Sequence, residues 1–312
     1  MAYESIAMFI AGFALMFFSS KWAIKYAIGI SESLGLGRFA VGFIFIAITT
    51  ASPEIFVAIS STLHGSPGLA VGNALGSVIA NLTIVLGAAV LIGGTMKLHD
   101  GNLGDLIEIL FVSALVSVFL LQTGTLSLIQ GFILFTLFIF FINKIKHERI
   151  QIENKRDVFA FFGYFSRFIA AVSLLILSSE LIVRASVSIA ESLAVTPEFI
   201  GLTVIAVGTS LPELAVGVRA IRAREYALGL GDLFGSSVID LTLVMGLVAM
   251  LNPVPVDLEP VRGAMPFMLT SVLISWYLLS KGRDVDRQTA LALLALFTLF
   301  VLEQIGIVTL FG

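Results

Sequence analysis

The sequence predicts an all-α polytopic membrane protein with ten transmembrane helices arranged as two inverted-topology five-helix repeats. Three observations predict it: an apolar composition, ten long apolar runs, and a gapless internal repeat at an offset of 159 residues. Of the 312 residues, 58% are hydrophobic and 12% are charged. Soluble domains carry about 45–50% and about 25% respectively. Mean hydropathy is +1.05. Lipid is the main solvent for such a chain, which excludes an ordinary soluble enzyme and a disordered protein. The net charge of −3 supplies no field to recruit nucleic acid. With no cysteine there is no disulfide framework, thiolate zinc site or iron–sulfur cluster. Three histidines are too few for a multi-histidine metal centre. The N-terminus, MAYESIAMFI, lacks a basic region and a cleavage site, so it reads as the first span.

A crossing helix needs about 20 apolar residues. Suitable runs lie at 3–29, 37–63, 69–94, 104–122, 126–143, 158–190, 197–222, 226–251, 262–280 and 288–308. They are long and apolar all round, unlike the short alternating strands of an outer-membrane barrel. The one sizeable polar stretch, NKIKHERIQIENKRD, divides the chain. Residues 1–143 form the first five-helix repeat, 144–157 a basic loop, and 158–312 the second repeat. Lys144, Lys146, Arg149, Lys155 and Arg156 follow span five, Arg219, Arg222 and Arg224 end span seven, and Lys281, Arg283 and Arg287 follow span nine. Arg38 and Lys97 also follow odd spans, leaving little but Arg262 and Arg184 opposite. The positive-inside rule places loop 144–157 in the cytoplasm and both termini outside the cell membrane.

The repeat runs from about Ser19 to Gly87. Ser19-Ser20 matches Ser178-Ser179, and SESL (31–34) matches AESL (190–193). GNALGSVIANLTIVLG (72–87) matches GDLFGSSVIDLTLVMG (231–246). An odd number of spans separates the copies, so the second enters the membrane from the other side, a pattern of secondary transporters. A solenoid is excluded, because the repeat is too long and is made of spanning helices.

Polar residues inside the spans locate the chemistry. Glu54 and Glu213 sit near mid-span, each directly after a proline. Asn73, Asn81, Asp232 and Asp240 sit in the partner spans. Ionisable groups at that depth normally face a site or an aqueous cavity. Pro53 cannot donate to the carbonyl of Thr49, nor Pro212 to that of Gly208, so each helix breaks there and frees carbonyl oxygens. Four-residue spacing puts Thr50 with Glu54, Thr209 with Glu213, Ser77 with Asn81, and Ser236 with Asp240 on common faces. Carboxylates, hydroxyls, amide and carbonyls form an all-oxygen set suited to Ca2+, Mg2+ or Na+ rather than zinc, copper or iron. Gly72 with Gly76 and Gly231 with Gly235 have GxxxG spacing, read as close helix packing. The 26 phenylalanines read as lipid-facing and core bulk. Lys21 and Glu180 are equivalent in the repeat and opposite in charge, compatible with a membrane salt bridge or with two interface positions.

At these residues the sequence resembles the calcium/cation antiporter superfamily, whose inverted repeats each carry a GTSLPE-like break and a GNxxGSN-like segment. GTSLPE (208–213) is complete here, and TTASPE (49–54) is its counterpart. The resemblance implies a Ca2+ site with Glu54 and Glu213 as carboxylate ligands and carbonyls from Thr50 and Thr209. Further ligands of sodium-coupled members correspond to Ala47, Ser77, Asn81, Ala206, Ser210, Ser236 and Asp240. It also implies that spans one and six slide against the other eight. Ala51 stands where sodium exchangers usually have serine, and Asp232 stands where Asn73 sits in the first repeat. More carboxylates and fewer neutral oxygens favour H+ as counter-ion, although the asparagine-containing glutamate motifs of proton exchangers are absent. The leading expectation is Ca2+ antiport against H+, with Na+ the alternative and a calcium channel more distant. An intramembrane hydrolase using Ser52 or Ser210 has no histidine or lysine base in the motif, and ATP-driven pumping has no phosphate loop. The protein is therefore expected to be no enzyme and to need no cofactor. Its partners are the two ions and membrane lipid, with no obligatory protein partner.

Overall fold

A computed structural model describes residues 2–33, 47–97, 104–149, 158–252, 254–255 and 258–308. Within them the protein is helical. The exceptions are an antiparallel pairing of Thr125–Leu126 with Val254–Pro255 and a bridge between Met96 and Val285. Eight helical stretches among the described residues are long and apolar enough to cross a membrane: Tyr3–Ile30, Pro67–Gly93, Gly104–Leu121, Phe159–Leu193, Pro197–Ala223, Tyr226–Leu251, Val261–Ser280 and Arg287–Gln304. Leu128–Asn143 is a shorter apolar stretch. The span expected over 37–63 lies partly outside the described residues. Its remainder forms the helices Ala47–Thr50 and Ser52–Leu63.

One boundary is corrected. The stretch read as a loop from residue 144 begins as helix, because Leu128–Arg149 is continuous. Lysine, arginine and glutamate are good helix formers, so polarity there ended the apolar run without ending the helix.

The molecule has two apolar bodies. The helices Ala2–Ser33 and Val158–Leu193 lie antiparallel, with Ser5 Oγ 2.8 Å from Ser188 Oγ and Gly29 facing the ring of Tyr164. Met16, Ala23, Leu175, Ile182 and Val183 are buried along their seam, in a cluster that reaches Val57, Leu69, Ile200 and Ile205. A larger cluster runs through the remaining helices, from Ala47 to Phe300. The outward faces are apolar: Phe159 is 93% exposed and Phe119 72%. In water those rings would be costly, but in lipid they are at home.

Buried hydroxyls rarely cross between helices. Ser19, Ser178, Ser237 and Ser271 each donate to a carbonyl three or four residues earlier on their own helix. That satisfies the group locally where no water is at hand. Against this background, hydroxyls that cross between helices are few among the described residues, and those of Thr50 and Thr209 do so at the site while Ser5, Ser60 and Ser117 do so elsewhere.

Small residues bring the site helices together. A methyl group on Gly72 would run into the carbonyl of Glu198, and one on Gly76 into that of Leu202. From the other side, one on Gly201 would strike the carbonyl of Leu69. The Pro67–Ala80 helix thus meets the 197–205 segment backbone to backbone. The packing role read for Gly72 and Gly76 holds, and Gly201 extends it. Gly76→Ala is expected to lower the stability of the detergent-solubilised protein by about 1–3 kcal/mol, the usual range for overpacking. Gly163→Ala, where an added methyl meets nothing within 4 Å, should leave stability unchanged or raise it. Thermal unfolding of the two variants side by side checks both.

Candidate functional site

Each half of the chain carries one break. Helix Ala47–Thr50 gives way to Ser52–Leu63 at Ala51, with φ −73° and ψ 0°. Helix Ala206–Thr209 gives way to Leu211–Ala223 at Ser210, with φ −82° and ψ 6°. A ψ near zero is the bridge region, a local turn rather than helix. The cause is the proline two residues on, which removes the donor to the carbonyl of Thr49 or Gly208 and whose ring crowds that carbonyl. Glu54 and Glu213 fall in the first turn of the new helix, where backbone N–H groups have no helical partner and the dipole is positive. The Thr49 carbonyl freed by Pro53 is taken by the Ser52 hydroxyl at 2.6 Å. Leu211 holds the equivalent place in the other half, so the second break has no such side-chain partner.

The breaks face each other's partner helices. Thr50 Oγ1 donates to Asp232 Oδ1 at 2.7 Å and lies 3.1 Å from Ser236 Oγ. Thr209 Oγ1 donates to Asn73 Oδ1 at 3.3 Å and lies 3.5 Å from Ser77 Oγ. Thr50, Asp232 and Ser236 map onto Thr209, Asn73 and Ser77 by the 159-residue offset. The two links are the same contact made crosswise. Both threonines also approach the alanine carbonyl three residues earlier, Ala47 at 3.2 Å and Ala206 at 3.3 Å.

All the residues expected at the site are buried. Glu54, Glu213, Thr50, Thr209, Asn73, Ser77, Asn81, Ser210, Asp232, Ser236 and Asp240 are at most 1% exposed, and Ala47 and Ala206 are at most 2%. Glu54 lies within electrostatic reach of Asp240 and Asp232, and Glu213 within reach of Glu54, Asp232 and Asp240. Both carboxylate oxygens of Glu54, Glu213 and Asp240, and Oδ2 of Asp232, have no hydrogen-bond partner of good geometry, although the hydroxyl of Thr209 lies beside Glu54 and that of Ser236 beside Glu213; the amide atoms of Asn81 and the hydroxyl of Ser210 are likewise without a partner. Buried polar atoms are almost always paired, so a cluster of orphans demands an explanation. Among the described residues no three carboxylate or imidazole groups form a compact metal cage. The oxygens are distributed around the crossing of the two breaks instead. Such a set provides hard, oxygen-only coordination for a cation brought to it.

The sequence reading missed two features. Helices 67–93 and 226–251 each contain a π-helical turn, Asn81–Val85 and Asp240–Val244, which starts at a predicted site residue. A third covers Gly201–Ile205. These turns widen the helix and redirect side chains at functional sites. Nothing in the local composition marks them, although their recurrence at matched positions fits the repeat. The other feature is the neighbourhood of Glu180. It accepts from Ser60 Oγ at 2.7 Å, and lies 2.6 Å from Arg184 Nε and 3.0 Å from His64 Nε2. The salt bridge considered with Lys21 is thus not formed. Arg184 is one helical turn away on the same helix, whereas Lys21 lines a cavity elsewhere.

Comparison with known proteins agrees with this geometry. The family model described as sodium/calcium exchanger protein matches residues 4–143 and 163–306. The chain is 24% identical to the sodium/calcium exchanger MaX1 of Methanosarcina acetivorans, covering 93% of this chain and 95% of that one. It is 29% identical to the inner membrane protein YrbG of Escherichia coli, over 80% and 81% of the two chains. Among solved structures, the sodium-calcium exchanger NCX_Mj soaked with Na+ and Sr2+ superposes with a TM-score of 0.71 at 25% identity, over 100% of both chains.

The Thr50–Asp232 bond, at 2.7 Å and to a carboxyl oxygen, is shorter than its 3.3 Å counterpart at Asn73 and should carry more energy. Thr50→Ala strands a buried carboxylate oxygen and is expected to cost about 1–3 kcal/mol in buffer free of divalent ions. In an Asp232→Asn background the same change should cost clearly less. Equal losses in a double-mutant cycle of thermal unfolding would show that the bond contributes nothing.

Proposed function

The chain belongs to the sodium/calcium exchanger protein family, and on that premise we propose that it exchanges Ca2+ for H+ by alternating access at the crossing of the two helix breaks. The family is one of secondary transporters, Ca2+/cation antiporters rather than enzymes, and the chain is a membrane protein with many apolar helices.

The observation that carries the reading is the set of seven carboxylate oxygens, on Glu54, Glu213, Asp232 and Asp240, buried without a hydrogen-bond partner of good geometry. Four carboxylates in one buried cluster cannot all stay charged and unneutralised, because each isolated buried charge costs several kcal/mol even after relaxation. Cations must always occupy the cluster in part. One Ca2+ removes two charges, and two protons or two Na+ ions remove the same. Two of the four charges are offset by either load, so Ca2+ and a pair of monovalent ions are electrostatically interchangeable at the site, which is the requirement for exchanging one for the other. Thr50, Thr209, Ser77, Ser236, Ser210, Asn81 and Asn73, with the carbonyls of Ala47 and Ala206, supply the neutral oxygens that complete the shell.

Two substitutions within the repeat support H+ as the partner ion. Ala51 offers no hydroxyl where Ser210 does, and Asp232 is titratable where Asn73 is not. Sodium needs neutral oxygens, whereas a proton needs only a carboxylate. A second reading, Na+, is favoured by the names of MaX1 and NCX_Mj, both sodium/calcium exchangers.

The architecture that accompanies this reading is ten spans in two inverted five-helix repeats, residues 1–143 and 158–312, with 144–157 between them. The crosswise threonine links support it, because each half donates to the equivalent residues of the other. The termini are read as outside and the basic stretch as cytoplasmic, by its lysines and arginines.

Reconstituted in vesicles, the protein should take up Ca2+ when the lumen is acidic, without Na+. Apparent Ca2+ affinity should fall as pH drops, since each bound proton removes a negative ligand. Glu54→Gln and Glu213→Gln should each lower uptake to background while the protein stays folded. Uptake driven by Na+ and indifferent to pH would replace the counter-ion and leave the shared site standing; wild-type uptake by either glutamine variant would remove the site itself. For topology, the cysteine-free chain allows a clean probe. Ile150→Cys should resist an impermeant thiol reagent added outside intact cells and react after permeabilisation.

A further inference from the structure

A cavity of about 640 Å3 opens between the Ala2–Ser33 helix and the Leu211–Ala223 helix. Lys21, Lys25 and Arg219 line it, together with apolar walls that include Phe17, Trp22 and Val216. Lys21 and Lys25 are one turn apart on one helix face, and Arg219 stands on the opposite wall. None of the three makes an ion pair among the described residues. Its volume is in the range of ligand pockets, about 300–1,000 Å3.

Three facts narrow the occupant. The cavity reaches Pro212, next to Glu213, but the three cations that line it repel Ca2+ and oppose its use as an entry route. Its walls join the outward apolar surface, where Phe17, Phe18 and Trp22 are 41%, 53% and 43% exposed. A soluble anion has no use for such walls, whereas an acyl chain does. On helix Leu211–Ala223 the lining runs from Pro212 to Arg219, about one turn short of Arg222. Basic pockets between spanning helices on the cytoplasmic side hold lipid headgroups.

We propose that this cavity binds an anionic phospholipid, its phosphate held by Lys21, Lys25 and Arg219 and an acyl chain laid against Phe17, Trp22 and Val216. The lipid bridges the two apolar bodies of the molecule. It contacts the helix Ala2–Ser33 on one side and, on the other, the helix whose first turn presents Glu213.

Two tryptophans, Trp22 and Trp276, allow a direct test. In a Trp276→Phe protein, in phosphatidylcholine nanodiscs, Trp22 fluorescence is quenched by phospholipid brominated on its acyl chain. At low mole fraction, brominated phosphatidylglycerol should quench Trp22 about tenfold more effectively than brominated phosphatidylcholine, given the favourable contribution of each basic residue near an anionic headgroup. The preference should vanish in the Lys21→Gln, Lys25→Gln, Arg219→Gln triple variant. A Trp22→Phe protein, reporting Trp276 alone, should show no preference. Equal quenching of Trp22 by the two lipids overturns the proposal, and it does so without any change to the basic residues. Loss of the preference on adding inorganic phosphate at matched ionic strength also overturns it, by making the cavity a site for free anions.

Discussion

The constraint on which the rest of the structure depends is the burial of four carboxylates in a helical bundle. Glu54, Glu213, Asp232 and Asp240 are each at most 1% exposed. Negative charge at that depth is tolerable only with donors, dipoles and cations arranged around it. The prolines at 53 and 212 serve this need. By ending one helix and starting another they place each glutamate on a fresh helix N-terminus, where unpaired N–H groups and the dipole favour negative charge. The hydroxyls of Thr50 and Thr209 supply donors from one side. The glycines at 72, 76 and 201 then let the backbones approach until the oxygens share one neighbourhood.

Crosswise pairing makes the site indivisible. Thr50 in the first half contacts Asp232 and Ser236 in the second, and Thr209 in the second contacts Asn73 and Ser77 in the first. Neither half holds a complete shell. The small contacts outside the site follow the same rule. Met96 bridges Val285, and the strand residues Leu126 and Pro255, their equivalents at the 159-residue offset, belong to the pairing of 125–126 with 254–255. Contacts between halves therefore recur in matched pairs from the core to the loops. The two halves are thereby tied to each other, since displacing Thr50 disturbs a carboxylate, and displacing Thr209 an amide, on the opposite half.

Most of the site was legible because its chemistry is carried by residue type at fixed spacing. A carboxylate after a proline within an apolar run is costly enough to be informative by itself, and Glu54 and Glu213 present it twice in register. Helix limits were legible wherever an apolar run ended at a turn, as at Gly93, Ala223 and Leu251. At Asn143 polarity and helix end separated, because lysine, glutamate and arginine continue a helix as readily as leucine does. The π turns at Asn81 and Asp240 escaped because they depend on one extra residue per turn, which no side-chain pattern announces. Glu180 escaped for a different reason. The repeat pairs it with Lys21 in sequence, but position in a repeat is not proximity, and Arg184, His64 and Ser60 reach it first. Residues 34–46, in the second expected span, and 150–157, in the basic stretch, lie outside the described residues.

The halves differ where symmetry would predict likeness, and the differences concentrate beside the carboxylates. Ala51 answers Ser210, Ser52 answers Leu211, and Asn73 answers Asp232. At the first break the loose carbonyl of Thr49 is capped by Ser52, and Thr50 is committed to a carboxyl acceptor at 2.7 Å. At the second break Leu211 provides no such cap, Ser210 keeps an unpartnered hydroxyl, and Thr209 makes longer contacts with Asn73 and Ser77, 3.3 and 3.5 Å. The first break is thus the more firmly tied, and the second retains more oxygens free to turn. On the proposed reading, an ion at the crossing would meet a fixed wall on one side and an adaptable one on the other, and with Glu213 on the adaptable side the second break would rearrange against the first as one cation replaced another.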